Sequence, residues 1–323
     1  MKISILLMGS LPFLGRVAAW GALGHQAVGY TAMEFLAPKA LKFVQSTLSA
    51  SDNHSLGPAA TWADTVRSEA AFAFTAPFHF IDAEDDPEGG SCSVDETRDC
   101  GAAGCILTAI ANYTIRVADT SLSATQRQEA LKFIDHFLGD IGQPLHVEAF
   151  EVGGNDISAI CGGSKTNLHA AWDTGMITTN LAANFGGSSQ AWAASLVQEI
   201  QTGKFQSDAA DWISCSSTTE PLSRRSALSQ IINPGRSMKD EIMETIASRA
   251  TGKITPLACP LVWAKESNAF DCTDVFDFKT GQDLCKGTYF TNALPIIELQ
   301  IAKQGFRLAA WLNVIFDGAT NLP

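Results

Sequence analysis

Apolar residues recur three and four positions apart along most of this chain, while runs alternating with period two are scarce. Side chains at i, i+3 and i+4 share one helix face, so the pattern points to packed helices. The expected fold class is all-α. Residues 24–37 carry one such face. Pro38 suits the first turn of a second helix to about Leu48, and residues 59–70 form a short third segment. Ser123-Ala-Thr-Gln126 has the form of a capping box. The helix it opens has Ala130, Leu131, Ile134, Phe137 and Leu138 as its apolar face, and Gly142 and Pro144 close it. Thr166 is read as the cap of a helix holding Leu168, Ala171, Trp172 and Met176, and Ser237 as preceding another to about Ser248. A long pattern runs from about Asn292 to Phe316, with Pro295 in its first turn. Residues 81–105, acidic and cysteine-bearing, read as a disulfide-stapled loop; residues 203–236 and 252–290 read as irregular. No repeat or low-complexity linker divides the chain, so residues 20–323 are expected to form one domain.

The first nineteen residues have the three parts of an export signal. Lys2 is the positive end, Ile3 to Met8 and Leu11 to Leu14 form a broken apolar stretch, and Val17-Ala-Ala19 supplies small residues for cleavage. The apolar stretch is too short to serve as an anchor, so the mature chain is expected to be secreted, with Trp20 as its first residue. Eight cysteines in an exported chain predict up to four disulfides. Cys100 and Cys105 are close enough for a small closed loop, and no paired CxxC suggests a thiolate metal site. Asn53-His-Ser55 and Asn112-Tyr-Thr114 are N-glycosylation sequons. The formal charge is −12, and loss of Lys2 and Arg16 with the leader takes it to −14. Such a chain cannot grip nucleic acid through a broad basic surface. Bound metal ions can still supply local positive charge in one cleft.

Donors for such ions are present. His136 and Asp140 are spaced i, i+4, as are His169 and Asp173. Each pair shares a helix face. One pair alone would be an ordinary salt bridge. Two pairs, joined by His146, His79, Asp64 and His25 in a chain with six histidines, form a set of nitrogen and oxygen ligands that zinc accepts. A free amine at Trp20, five residues before His25, would add a ninth donor. His54, beside a sequon, is read as a surface residue.

The ordered motifs resemble the zinc-dependent, single-strand-specific nucleases of fungi and plants, whose fold is shared with bacterial zinc phospholipase C. The matching segments are Trp20-Gly-x-x-Gly-His25, Trp62-Ala-Asp64, His79-Phe-Ile-Asp82, His136-Phe-Leu-Gly-Asp140, Gln143-Pro-Leu-His146, Gly153-Gly-Asn155 and Asn167-Leu-His-x-x-Trp-Asp173. The likeness continues through Ile297 to Lys303 and Arg307-Leu-Ala-x-Trp311. It implies three zinc ions. Asp64, His79, His136 and Asp140 would hold one, and His146, His169 and Asp173 a second. The amine and carbonyl of Trp20, with His25 and a bridging Asp140, would hold the third. It further implies that Asp64 orients a zinc-bound water, that Arg67 binds the phosphate, and that Phe80, Asp82 and Val152 hold a nucleobase. By the same resemblance Cys92 pairs with Cys272 and Cys100 with Cys105. The remaining four cysteines are unassigned.

The implied activity is cleavage of single-stranded DNA and RNA to 5′-phosphorylated products, with action on 3′-nucleotides, by a monomer without membrane attachment. Two alternatives stand beside it. One is a zinc phospholipase C, using the same cluster on lipid phosphodiesters; the context of Trp62, Arg67 and Phe80 favours the nuclease. The other is an exported zinc-binding protein without catalysis, which the complete donor set disfavours.

Overall fold

The computed structural model describes residues 20–214 and 258–322. The leader, the helix expected after Ser237, and Cys215 lie outside the described residues. Those described are mostly helical, with a single two-stranded sheet. The longer helices are α1 (Ala22–Met33), α2 (Pro38–Thr47), α3 (Ile106–Ala118), α4 (Ala124–Asp140), α5 (Met176–Asn184), α6 (Ser189–Gln201), α7 (Ala258–Phe270) and α8 (Gly287–Asp317).

Helix α4 lies inside the molecule, and from Ala130 to Asp140 every residue is buried. Its start is fixed by Ser123, whose hydroxyl accepts from the Gln126 amide while the Gln126 side chain accepts from the Ser123 amide. Two orphan amides of the first turn are thereby satisfied. Helix α3 packs along α4, and α1 packs on α6 and on the short helix Leu56–Ala59. Tyr113 of α3 stacks on Phe133 of α4 at 4.4 Å between ring centroids.

Helix α8 runs past α1, α2 and α4 and carries polar side chains into the core. The Asn313 carbonyl oxygen accepts from Ala37 N, and its amide donates to Phe35 O, pinning the α1–α2 corner. Gln300 donates to Gly142 O, just beyond α4. Arg307 donates to Trp212 O and pairs with Glu266 of α7. Each bond satisfies a backbone group or charge whose burial would otherwise be costly.

Several boundaries differ from the sequence reading. Helix α8 starts at Gly287, so Pro295 sits in its interior rather than its first turn. Residues 252–290 are not irregular throughout: α7 and a π-turn, Asp271–Val275, occupy much of them. Trp263 and Ala264 are buried there, and Ser267 bonds Ile141 O, so tertiary packing organises a segment of weak local pattern. Short helix Ala209–Trp212 lies in the other segment read as irregular. Asn167, not Thr166, caps the His169 segment, accepting from Ala170 N. Thr166 instead belongs to an unforeseen hairpin, Ser158–Cys161 paired antiparallel with Ser164–Asn167 across Gly162-Gly163.

Disulfides join Cys92 to Cys272, Cys100 to Cys105, and Cys161 to Cys285. Cys259 is also disulfide-bonded. The first ties the loop after residue 81 to the π-turn that follows α7, and the third ties the hairpin to the segment just before α8. Among the described residues, no helix is long and apolar enough to cross a membrane.

Candidate metal centre

Four segments converge on one buried point. Helix α4 brings His136 and Asp140, and the 3-10 helix Ala73–His79 ends on His79. The short helix Trp62–Val66 brings Asp64, held against α4 by Trp62 packing edge-on to Phe133. Helix α1 brings His25, whose ring stacks on His136 at 3.8 Å.

His79 Nδ1 lies 3.0 Å from His136 Nε2 and 3.1 Å from Asp140 Oδ2. His136 Nε2 lies 3.2 Å from Asp140 Oδ2, and both nitrogens lie 3.8 Å from Asp64 Oδ1. Tetrahedral ligands about 2.0–2.1 Å from zinc stand roughly 3.3 Å from one another. The observed separations bracket that value, so these four atoms fit one such ion. His25 Nε2 sits 3.0 Å from Asp140 Oδ1 on the other side of the carboxylate. Neither atom makes a hydrogen bond of acceptable geometry, which leaves both lone pairs free for a cation.

A second group is built from the turn Pro144–His146 and the segment running from His169 into a π-turn, Ala171–Gly175. His146 Nε2 is 3.2 Å from His169 Nε2 and 3.7 Å from Asp173 Oδ1. His169 Nε2 is 3.0 Å from Asp173 Oδ2.

The surrounding hydrogen bonds fix which nitrogen faces inward. Nδ1 of His136, His146 and His169 contacts the carbonyls of Ala60, His79 and Gly153 at 2.6, 2.9 and 2.7 Å. A carbonyl can only accept, so each Nδ1 carries a proton, and Nε2 is the nitrogen left to give a lone pair to a cation. Gln143 donates to Asp173 Oδ1 at 2.6 Å, and its own oxygen accepts from Leu145 N. This supporting role went unread in the sequence, although Gln143 stands inside a quoted motif. Residue 20 joins the two groups: the Trp20 indole donates to Gly139 O, and Gly21 N donates to Asp173 O.

The electrostatics follow from burying carboxylates beside imidazoles. Burial disfavours charge on His136, but Asp140 and Asp64 outweigh it and hold the imidazole up at about 9. Burial pushes His79 down to about 4 and also lowers His25. Burial opposes the ionised Asp173 too, yet His169 and His146 hold it down to about 2.

The centre has one open edge. The other donor side chains expose 0–5% of their surface, whereas Asp64 exposes 19%. Arg67, equally exposed, points its guanidinium to within 3.4 Å of Asp64 Oδ1. A cation therefore stands where an anion from solvent would reach the buried groups. Phe80 is half-buried and adjoins His79. Asp82 is exposed, and partial desolvation with the Asp99 and Glu84 carboxylates raises its carboxyl. Val152, which on its own would be read as a core residue, is 62% exposed with φ +59°.

The sequons fall in different settings. Asn53 is exposed at a left-handed corner. Asn112 is half-buried within α3, and the Thr114 hydroxyl of its sequon accepts from the Trp311 indole. His54 closes the end of α2 by contacting Gln45 O and Leu48 O through Nδ1.

Fold and site define a helical protein with a buried histidine–aspartate centre fit for divalent cations, open beside a single arginine. The chain belongs to the S1/P1 nuclease family, whose model matches residues 20–317. It is 40% identical over 301 residues to Nuclease PA3 of a Penicillium species, covering 92% of this chain and 97% of that protein. Identity and coverage are the same for Nuclease P1 of Penicillium citrinum. Nuclease S1 of Aspergillus oryzae is 36% identical over 300 residues, with 92% and 91% covered. The chain is a nuclease, a phosphodiesterase.

Proposed function

We propose that this protein is a secreted, monomeric, single-domain endonuclease that cleaves single-stranded DNA and RNA to 5′-phosphorylated products and also acts as a 3′-nucleotidase. Its cofactors are three zinc ions. Asp64, His79, His136 and Asp140 would hold the first, and His146, His169 and Asp173 the second. The Trp20 amine and carbonyl, with His25 and the outer oxygen of Asp140, would hold the third. The observation that supports this reading best is the pairing of a complete buried donor set with one open edge at Asp64 and Arg67.

When bound, zinc supplies a hydroxide nucleophile near neutral pH and polarises phosphate. Asp64 reaches that edge from its own side, so its carboxylate can orient the attacking oxygen. The Arg67 guanidinium presents a planar fork of donors to the non-bridging phosphate oxygens. The carbonyl-locked imidazoles keep their geometry as charge moves. Phe80, Asp82 and Val152 would take a nucleobase: one face stacks on Phe80 and a base edge meets Asp82. A base in a duplex has neither free, which gives the preference for single strands.

The test is direct. The secreted protein is purified, its zinc counted, and its action measured on single-stranded DNA, RNA, 3′-nucleotides and phosphatidylcholine. Turnover of the nucleic acids with more than two zincs per chain is expected. Lipid turnover without nucleic-acid turnover would assign a phospholipase instead. Fewer than two zincs in intact protein would remove the metal mechanism.

A further inference from the structure

We infer that Phe74 is a second stacking platform, holding a base of the single strand beyond the one at the reacting phosphate. This rests on the nuclease reading above and extends it to substrate length. Phe74 is 60% exposed, while the segment carrying it is anchored at both ends. On one side Phe72 packs edge-on against Trp62, the first residue of the short helix bearing Asp64. On the other, His79 lies in the donor cluster. Thr75, fully buried, bonds Phe72 O and fixes the turn between them. The backbone beneath Phe74 is thus tied to the centre itself.

The ring is backed as well. Phe74 meets Phe78 edge-on at 6.0 Å. Phe78 in turn lies against Gly104, beside the Cys100–Cys105 disulfide; a Cβ at Gly104 would come within 3.1 Å of the Phe78 ring. An exposed aromatic held by a second ring keeps its orientation without a ligand, which lowers the ordering cost of stacking.

Charge and distance select the occupant. From Ala70 to Phe78 there is no charged residue, in a chain of net charge −12. Ala70, Ala71, Ala73 and Ala76 of the same stretch are exposed as well. Arg67, at the open edge of the donor centre, precedes this stretch, with the exposed Glu69 between them. Residues 70–78 themselves offer no carboxylate to repel a polyanion leaving the centre. The 3-10 rise of about 2 Å per residue puts Phe74 roughly 10 Å from His79 along the backbone. That is about three stacked nucleotide steps of ~3.4 Å, fewer if the strand is extended. The ring is therefore placed for a base about one to three nucleotides along the strand from the centre.

Phe74→Ala and Phe74→Trp test the inference against a 3′-mononucleotide and a single strand of about ten nucleotides. For the longer strand, Phe74→Ala should raise KM roughly fivefold or more, the lower end of what one stacked base supplies. Its kinetics on the mononucleotide should match the parent, and Phe74→Trp should restore the KM. A non-hydrolysable strand should also quench the new indole of Phe74→Trp, a binding readout independent of turnover. Equal effects on both substrates, no effect on either, or no quenching would overturn the proposal. Failure of the parent to cleave any nucleic acid would instead strike the nuclease reading, and quenching would still decide the role of Phe74.

Discussion

Asp64 differs from the other donors because it belongs both to the buried cluster and to the surface. Its Oδ1 faces His79 and His136 at 3.8 Å and Arg67 at 3.4 Å. Replacing it by Asn keeps the volume and removes the charge that, on the proposed mechanism, orients the nucleophile. Asp64→Asn should cut strand cleavage by about 10²-fold or more, with an unchanged circular dichroism spectrum; substantial residual activity would deny Asp64 a central role. Asp271 poses a different problem. It is fully buried, and neither oxygen makes a hydrogen bond of acceptable geometry among the described residues. Burial pushes its carboxyl well above the usual carboxylate range, and Glu148 and Asp85 push it further. A carboxyl raised in this way prefers its proton when folded. Its contribution to stability is fully present below the unfolded value, about 3.9, and is lost as pH rises toward the folded one. Asp271→Asn removes that loss, so its gain in Tm over the parent should widen from about pH 5 to about pH 8. A gain that shrinks with pH would contradict the assignment. Sequence alone exposed Asp64, through its motif. It could not expose Asp271, because burial of a carboxylate depends on α7, whose pattern reads as irregular.

At the scale of elements, α4 was the most legible, since its capping box, apolar face and His-x-x-x-Asp pair all agree on one helix. The segment after it was less so. Residues 151–154 all have positive φ, including Val152, a β-branched residue for which this is costly. No local preference announces such a run; it exists because Gly153 must turn its carbonyl onto His169 Nδ1. A Cβ at Gly153 would sit 2.6 Å from Leu145 O. Gly153→Ala should destabilise the fold by about 1–3 kcal/mol and lower zinc occupancy of the His146, His169 and Asp173 group, read by metal analysis. Unchanged occupancy would show that the carbonyl does not set the His169 ring. The π-turn at Ala171–Gly175 was equally hidden. Helical spacing predicted that His169 and Asp173 would meet, and they do, but through a wider turn than the spacing assumed. A close approach also sets α1 against α4: a Cβ at Gly139 would fall 2.9 Å from His25 Nδ1.

For the whole molecule, the centre acts as a joint between distant parts of the chain. Candidate donors from α1, α4 and the His169 segment meet there, so metal binding should contribute to folding. Chelation at neutral pH should lower Tm and draw protons from solution, because the emptied His136 site, held up at about 9, takes one up. The sign is definite: that proton contributes stability fully below the unfolded value of about 6.5, and the contribution is lost as pH rises through about 9. The metal-loaded protein should run the other way, losing metal and stability in acid. Between about pH 7 and pH 9, above the range in which the lowered His79 and His25 titrate, Tm of the metal-free form should fall while that of the metal-loaded form does not; parallel slopes in that window would refute it.

The same joint takes in residue 20. Trp20 is wholly buried, its indole bonded to Gly139 O, and Gly21 N is bonded to Asp173 O. Residue 20 is thereby pinned between the ends of both donor pairs. On the proposed reading an amine there, freed by cleavage after Ala19, would be a ligand; an amide would not, because its nitrogen has no lone pair to give. Protein that retains Ala19 should therefore keep its fold and Tm within a few degrees. It should nonetheless bind two zincs rather than three and cleave single strands about tenfold more slowly or worse. Mass spectrometry would identify each form, metal analysis would count its zinc, and oligonucleotide cleavage would rank the two. Full activity and three zincs in the extended form would take the terminal amine out of the centre and leave the remaining eight donors to account for the chemistry.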